Sequence, residues 1–278
     1  MTWLQALLLG VIQGLTEFLP ISSSGHLVLS KQLLGVSGAE SAGAAMEVFL
    51  HAGTMFSVVV AFRRELLKIL VSLVRGFRKP NRLRETFTEN QQFRVGIFLL
   101  LASLPAAAIG LSFRGLIEST FQTPWVAVLG LFATGVLLVA TRLVPPQNRP
   151  ITVSTSLIIG FAQAAAMIPG VSRSGATISA GLFRKVPKDV AARFSFFLSV
   201  PAIFGANALK LIDLGTQQQA TPWGSYLLGA CVSFAVGWAA IRTVLVALKK
   251  EKFHLFGAYC VAVAFLAALS LMGWLPIP

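Results

Sequence analysis

The sequence contains a similar polar break twice, and each break interrupts a long apolar stretch. We call residues 19–26 the first tip and residues 169–175 the second tip. Proline and clustered serines end an apolar helix at each tip. Two broken helices at corresponding places in two halves of a chain indicate a polar site near the middle of a membrane. Five residues around the first tip recur at one offset of 150 positions: Gly10, Gln13, Ser22, Ser24 and Gly25 match Gly160, Gln163, Ser172, Ser174 and Gly175.

The composition indicates an all-α, polytopic membrane protein. Hydrophobic residues make up 55% of the 278 positions, charged residues only 12%, and the mean hydropathy is +0.77. These values exclude an ordinary soluble domain. Two further stretches, 3–36 and 152–183, each read as a re-entrant helical hairpin around a tip, because irregular backbone at membrane depth needs protein or water around it. Six runs are long enough to be transmembrane helices: 44–62, 93–112, 123–142, 193–212, 222–244 and 254–275.

The placement of the positive charge supports this topology. The net charge is +13, and 19 of the 23 Lys and Arg residues fall in four stretches, 63–94, 142–149, 184–193 and 242–252. All four stretches face the cytoplasm only if both broken segments are re-entrant, as the positive-inside rule requires. The first hairpin then enters from the outer face and the second from the cytoplasm.

We therefore predict one integral membrane domain, 1–278, built as an inverted-topology repeat with halves of about 1–142 and 143–278. The basic charge indicates membrane lipids as partners rather than nucleic acid. Cys231 and Cys260 lie inside apolar runs, where packing is the expected role. No basic residue precedes the first apolar run, so we expect no cleavable signal peptide.

Few formal charges remain at membrane depth, and buried charge there normally marks function. Glu17 shares a helix face with Gln13, four residues earlier. Arg173 offers a planar fork of donors that suits phosphate oxygens. Glu47 and His51 are also four apart, and they either line the same cavity or form a structural pair. Hydroxyls and backbone N–H groups at the tips complete a predicted phosphate-binding set: Ser22, Ser24, Gly170, Ser172, Arg173, Ser174 and Thr177.

The two motifs resemble those of a known family. Residues 13–26 fit the pattern (Glu or Gln)-x3-Glu followed by Pro and a serine run, and residues 169–177 fit Pro-Gly-x-Ser-Arg-Ser-x2-Thr. Together they are similar to the bacterial undecaprenyl-diphosphate phosphatases, also called bacitracin resistance proteins, over nearly the whole chain. One departure is Gln13, where many members carry a second glutamate. This departure argues against a metal site made of two carboxylates.

The resemblance implies removal of the terminal phosphate from undecaprenyl diphosphate, which regenerates the lipid carrier for peptidoglycan synthesis and confers bacitracin resistance. It also implies a multi-pass protein of the bacterial inner membrane with its active site towards the outer face. A divalent cation, Mg²⁺ or Ca²⁺, is expected, with Glu17 as its ligand. The oligomeric state is open, and a homodimer is compatible with the sequence.

The predicted catalytic residues are Glu17, Ser23, His26 and Arg173. Arg173 neutralises the transferred phosphoryl group. Ser23 is the candidate nucleophile, with His26 as its base or as the acid for the leaving group. In the alternative, water attacks and Ser23 only donates a hydrogen bond. Glu17 holds the cation, or orients His26 or the water.

A translocase of a polyprenyl phosphate lipid is the rival function, because inverted repeats with broken helices also build transporters. The feature that separates the two is the group of Glu17, Ser23 and His26 beside Arg173. A transporter needs the cation to hold its substrate, but it needs no nucleophile. We therefore expect an enzyme.

Overall fold

The protein is a bundle of helices, as seen in a computed structural model that describes residues 2–27, 40–145, 148–214 and 223–274. Side chains are described in these ranges except at 40–44 and 213–214. These residues include no strand, and 23–27 form a short helical segment. The longer helices are α1 Trp3–Phe18, α2 Glu40–Ala61, α3 Arg63–Phe77, α4 Leu83–Glu89, α5 Gln91–Ser112, α6 Arg114–Thr120, α7 Pro124–Ala140, α8 Val153–Ala165, α9 Arg173–Phe183, α10 Lys188–Leu214, α11 Trp223–Lys249 and α12 His254–Leu271.

The described residues contain five helices that are long and apolar enough to cross a membrane: α5, α7 with the turn after it, α10, α11 and α12. A sixth span is formed if α2 is counted with α3, which follows it at a bend of 86°. Five of the six predicted spans are thereby confirmed, and the sixth, 44–62, corresponds to α2. The helices α1 and α8 are apolar but shorter, as predicted for hairpin limbs. The return limb of the first hairpin, 27–36, lies outside the described residues beyond Leu27.

The second hairpin enters and leaves the bundle at the same end. Its limbs are α8 and α9, and Ser172 caps the N-terminus of α9. At the base of the hairpin, the Arg149 N–H donates a hydrogen bond to the Lys185 carbonyl, at 3.0 Å. The segment therefore folds back on itself, as predicted for a hairpin, and its re-entry into the membrane from one face stays a prediction.

Each hairpin packs against a helix that is distant from it in the sequence. The first limb of the first hairpin, α1, packs along α11, and the first limb of the second, α8, packs along α5. The spans α2 and α10 pack against each other, as do α7 and α12. Each limb thus lies on a span from the other part of the sequence, which brings the two tips together. The division into halves at about residue 142 stays a prediction.

The repeated glycines have the same packing role in both places. A Cβ on Gly10 would lie 2.8 Å from the Gly229 carbonyl oxygen of α11, and a Cβ on Gly160 would lie 2.5 Å from the Ala102 carbonyl oxygen of α5. Small residues allow membrane helices to approach this closely. The 150-residue repeat therefore includes the surfaces by which the hairpins dock.

An aromatic cluster fixes the end of α1. Phe18 is fully buried and meets the Phe196 ring edge-on, with 5.8 Å between the ring centroids. Phe62 stacks on the other side of Phe196, at 6.0 Å. Because Glu17 directly precedes Phe18, this cluster sets the position of that carboxylate.

Candidate active site

The two tips touch each other inside the bundle. A Cβ on Gly25 would lie 3.5 Å from the Cα of Gly170. The Ser174 hydroxyl donates a hydrogen bond to the Leu19 carbonyl, at 3.3 Å. The repeat therefore places its two polar breaks in one location.

Each tip has the same serine geometry. The Ser172 hydroxyl accepts from the Gly175 N–H at 3.1 Å, and the Ser22 hydroxyl accepts from the Gly25 N–H at 3.4 Å. In each tip, that serine hydroxyl also lies 3.3 Å from the hydroxyl two residues later, Ser174 or Ser24. Ser22 and Ser172 thus act as helix caps. They order the tip, and their side chains are buried.

The second tip is clamped by a residue outside both motifs. Thr134 of α7 donates to the Gly170 carbonyl at 3.1 Å and accepts from the Ser172 N–H at 3.0 Å. Gly170 has a φ of +85°, and a Cβ there would lie 2.0 Å from the Ala127 carbonyl oxygen. Only glycine suits this position. In the first tip Ser22 has a φ of +70°, which is costly for a residue with a side chain and marks local strain.

Glu17 is the centre of the site. It is buried, and its Oε1 accepts from Arg173 Nη2 at 2.5 Å. Its Oε2 accepts from Gln13 Nε2 at 3.0 Å and from the Ser23 hydroxyl at 2.8 Å. His51 Nε2 lies 3.9 Å from the same oxygen. The predicted meeting of Glu17 and Arg173 is therefore confirmed, and both tips contribute to one cluster.

Glu17 uses only one of the two terminal nitrogens of the Arg173 guanidinium. The Arg173 side chain is 15% exposed. The Nη1 group is buried and has no hydrogen-bond partner among the described residues. A buried guanidinium nitrogen without a partner is costly. An anion that reaches this nitrogen would therefore be bound strongly.

The structure assigns different positions to Glu47 and His51. Glu47 pairs with Lys210 of α10, with 2.5 Å between Nζ and Oε2. His51 donates from Nδ1 to the Glu47 carbonyl at 2.8 Å, which turns Nε2 towards Glu17. His51 therefore borders the cluster, whereas the Glu47 carboxylate pairs with Lys210 and not with His51.

Both ring nitrogens of His26 bond to groups other than Ser23, and of its two expected roles this arrangement favours the one at the leaving group. Its Nδ1 lies 2.8 Å from the Ser22 carbonyl, and a carbonyl only accepts, so Nδ1 carries the proton. Its Nε2 then accepts from the Tyr259 hydroxyl of α12, also at 2.8 Å. The rings are stacked, with centroids 5.7 Å apart. In this state both ring nitrogens are engaged, and the carboxylate of Glu17 is the group next to Ser23.

Thr177 was expected among the phosphate ligands, but its hydroxyl is used elsewhere. It is fully buried, donates to the Arg173 carbonyl at 2.8 Å, and lies 2.6 Å from the Ser195 hydroxyl. A threonine that bonds back to the preceding turn is a common helical arrangement. Thr177 therefore supports the backbone of Arg173 and the contact between α9 and α10.

Sequence reasoning missed Tyr259 and Thr134. Neither lies in a motif or in the repeat. Tyr259 is 233 residues from His26 along the chain. Each joins the site through packing of α12 or α7, and the polar character of one residue in an apolar helix was the only available signal.

The oxygens around Glu17 suit a hard cation in part. The Oε1 atom of Gln13 is buried and lacks a partner among the described residues, and it lies on the side chain that already contacts Glu17. The described residues contain no group of three His, Cys, Asp or Glu side chains that could hold a metal. Mg²⁺ commonly binds through one carboxylate together with substrate phosphates. The donor set therefore fits a cation that is shared with a diphosphate.

Comparison with known proteins decides the family. The family model described as "Bacitracin resistance protein BacA" matches residues 6–266 of the chain. The chain belongs to this family. The matched segment of the BacA family includes every residue of the site, from Gln13 to Tyr259.

Curated relatives of this BacA-family chain are similar along almost their full length. The chain is 38% identical to a protein named undecaprenyl-diphosphatase from Salinibacter ruber, over 94% of this chain and 96% of the relative. A protein of the same name from Rubrobacter xylanophilus is 39% identical, over 97% and 98%. One from Chromohalobacter salexigens is 40% identical, over 90% and 92%.

Proposed function

We propose that this protein hydrolyses undecaprenyl diphosphate to undecaprenyl phosphate and inorganic phosphate, and so recycles the lipid carrier of peptidoglycan synthesis. The names of its relatives support this reaction, and they favour hydrolysis over translocation. The single observation that carries it is the buried cluster in which Glu17 bridges Arg173 and the Ser23 hydroxyl. We place the site towards the outer face of the bacterial inner membrane.

The first step is an exchange of anions on Arg173. A terminal phosphate carries more charge than a carboxylate and accepts both prongs of the guanidinium fork. It takes the free Nη1 first and then competes with Glu17 for Nη2. Glu17 is thereby released from its ion pair at the moment the substrate arrives.

The second step is attack on the terminal phosphorus. The released Glu17 carboxylate accepts the proton of the Ser23 hydroxyl, and the serine oxygen bonds to phosphorus as the bridging P–O bond breaks. Undecaprenyl phosphate leaves, and water then hydrolyses the phosphoserine. In the alternative, Glu17 takes the proton from water, which attacks directly while Ser23 donates a hydrogen bond. Arg173 neutralises the developing charge in both cases.

We assign His26 to the leaving group, since its ring nitrogens are engaged on the side of Ser22 and Tyr259. Tyr259 holds the His26 ring by donating to Nε2, and the Nδ1–H supplies a hydrogen bond to the departing phosphate oxygen once it exchanges the Ser22 carbonyl for that oxygen. Glu17 and the Gln13 amide oxygen are the residues that would hold a divalent cation. A bound cation supplies positive charge that screens the diphosphate oxygens.

The test is release of inorganic phosphate from a long-chain prenyl diphosphate by the purified protein in detergent. Glu17→Ala and His26→Ala, prepared in the same way, should lower turnover by about 10²–10⁴-fold, which is the usual contribution of a general acid or base. A trapped phosphoserine at Ser23 would select the covalent route. Wild-type release no faster than that of Arg173→Ala, from protein with intact helical content, would refute the proposed reaction.

A further inference from the structure

A basic cavity lies at the bend between α2 and α3, away from the active site. It is a groove of about 570 Å³. Its lining residues on α2, Val60 and Ala61, lie about ten residues after His51. At the rise of an α-helix this places them roughly 15 Å from His51 along the helix axis. The groove and the active site are therefore separate. We call it the arginine groove, and its lining residues are Val60, Ala61, Arg63, Arg64, Glu65, Phe234, Trp238 and Arg242.

The arginine groove carries uncompensated positive charge. Its one acidic residue, Glu65, is paired with Arg193 at 3.2 Å. Within the described part of the chain, no carboxylate pairs with Arg63, Arg64 or Arg242. Three guanidinium groups that share one cavity repel each other unless an anion lies between them.

One of these arginines is held in place by an aromatic ring. The Arg242 guanidinium carbon lies 3.6 Å from the centroid of the Trp238 ring. Stacking of this kind fixes the guanidinium plane and leaves its N–H edge free for an oxyanion. Arg242 is an exposed residue whose guanidinium direction is restricted by the Trp238 ring.

The other wall of the arginine groove is apolar and faces outward. Val60 is 39% exposed and Trp238 is 36% exposed, and Phe234 lies one turn from Trp238 on the same face of α11. Helix α11 is long and apolar enough to cross a membrane, and α2 packs along it. A ligand that fills the groove thus meets cations at one end and an apolar, lipid-facing surface at the other.

Helix α3 sets the depth of the arginine groove in the bilayer. It leaves α2 at 86° and exposes an apolar stripe, Leu67, Leu70, Val71, Val74 and Phe77, between basic residues. Such a helix lies in the interface, with its apolar face in the acyl boundary. Arg63 and Arg64 are at its start, so the arginines lie at the level of the lipid headgroups.

We infer that the arginine groove binds the phosphodiester headgroup of an anionic glycerophospholipid, with an acyl chain along the wall formed by Val60, Phe234 and Trp238. A soluble phosphate would satisfy the arginines but not this exposed apolar wall. Basic pockets between spans are known to take anionic headgroups. The inference does not rest on the reaction proposed for the active site.

Native mass spectrometry of the purified protein tests this site. The probes are phosphatidylglycerol and phosphatidylcholine with the same acyl chains. The variant Arg63→Gln/Arg64→Gln/Arg242→Gln should bind phosphatidylglycerol about 10- to 100-fold more weakly, since each arginine near the headgroup contributes to affinity. Binding of phosphatidylcholine should be unchanged. The matched control, Arg78→Gln/Lys79→Gln/Arg82→Gln, removes the same charge from exposed positions on the same predicted face and should bind like wild type.

Several outcomes would overturn the inference. An equal loss in the control would mean diffuse electrostatic attraction. Full retention in the groove variant, or displacement of phosphatidylglycerol by millimolar inorganic phosphate, would exclude a lipid headgroup site. Unchanged helical content in the groove variant shows that the protein is folded. Unchanged hydrolysis of the prenyl diphosphate shows that the arginine groove is separate from the active site.

Discussion

At the scale of single residues, the ion pair of Glu17 and Arg173 explains how charges persist at membrane depth. Either charge alone would be costly there, and breaking such a pair leaves the other partner uncompensated. The pair is also incomplete, because Arg173 Nη1 has no partner among the described residues. The resting protein therefore satisfies the carboxylate while part of the guanidinium stays available to a phosphate.

Arg173→Lys should be nearly as inactive as Arg173→Ala. Lysine keeps the charge but loses the fork that lets Nη2 contact Glu17 while Nη1 reaches the phosphate. We expect kcat/KM for the prenyl diphosphate to fall by about 10²–10³-fold in both variants. Arg114→Lys is the control, since that arginine is exposed on α6 and paired with Glu118. Near-normal turnover in Arg173→Lys would reduce Arg173 to a structural cation.

Tyr259→Phe should lower kcat about tenfold and leave KM unchanged. The substitution removes only the hydroxyl that donates to His26 Nε2, and one hydrogen bond of this kind corresponds to about a tenfold change in rate. Steady-state kinetics on the prenyl diphosphate measures both constants. Tyr226→Phe changes the other tyrosine of the chain and should keep the wild-type kcat. A rise in KM alone would mean that Tyr259 shapes the binding surface and does not position His26.

The sequence predicted which residues gather but not how they pair. Glu17, Ser23 and Arg173 could be placed together because two tips at one offset must meet if the repeat is inverted. Hydrogen-bond partners depend on side-chain direction within a turn, which the sequence does not give. The sequence therefore suggested His26 as the partner of Ser23, whereas the Ser23 hydroxyl bonds to Glu17. Tyr259 was beyond prediction, since nothing local marks a tyrosine in an apolar helix as the partner of a histidine far away in the chain.

At the scale of elements, each hairpin is a helix pair whose tip must be stabilised without water. Serine caps do this in both tips. The second tip needs more, because its Gly170 carbonyl and Ser172 N–H would be unpaired at membrane depth. Thr134 supplies both partners from α7. The motif therefore predicted the turn, whereas the hydrogen bonds that stabilise it come from Thr134, which lies outside the motif.

Thr134→Val should lower the free energy of unfolding by about 1–3 kcal/mol, the cost of leaving buried backbone groups without partners. Valine keeps the shape, so the loss reports the two hydrogen bonds to Gly170 and Ser172. Thermal unfolding in detergent measures the change, and phosphate release should fall with it because Arg173 follows the clamped turn. Thr141→Val is the control, since the Thr141 hydroxyl bonds to the Leu138 carbonyl in the last turn of α7 and not to either tip among the described residues. Equal stability of the two variants would argue against the clamp.

At the scale of the whole molecule, apolar length and charge placement were enough to predict the five spans α5, α7, α10, α11 and α12. They could not predict the 86° bend that turns α3 into the interface, because length and composition fit a continuation of α2 equally well. The second hairpin was predicted from its polar break and from charge parity, and the hydrogen bond between Arg149 and Lys185 at its base agrees with that prediction.

The remaining whole-molecule prediction is the side of the membrane on which each loop lies. Single cysteines at Asn81, Ser119, Asp189 and Gln218, in a Cys231→Ala/Cys260→Ser background, can be labelled in intact cells with a reagent that does not cross the membrane. Labelling is expected at positions 119 and 218 only, because 19 of the 23 basic residues then lie on the cytoplasmic side. Labelling at 189 but not at 218 would mean that 152–168 crosses fully. The basic stretch 184–193 would then face outward, and the inverted repeat would have to be abandoned even though Glu17 and Arg173 are in contact.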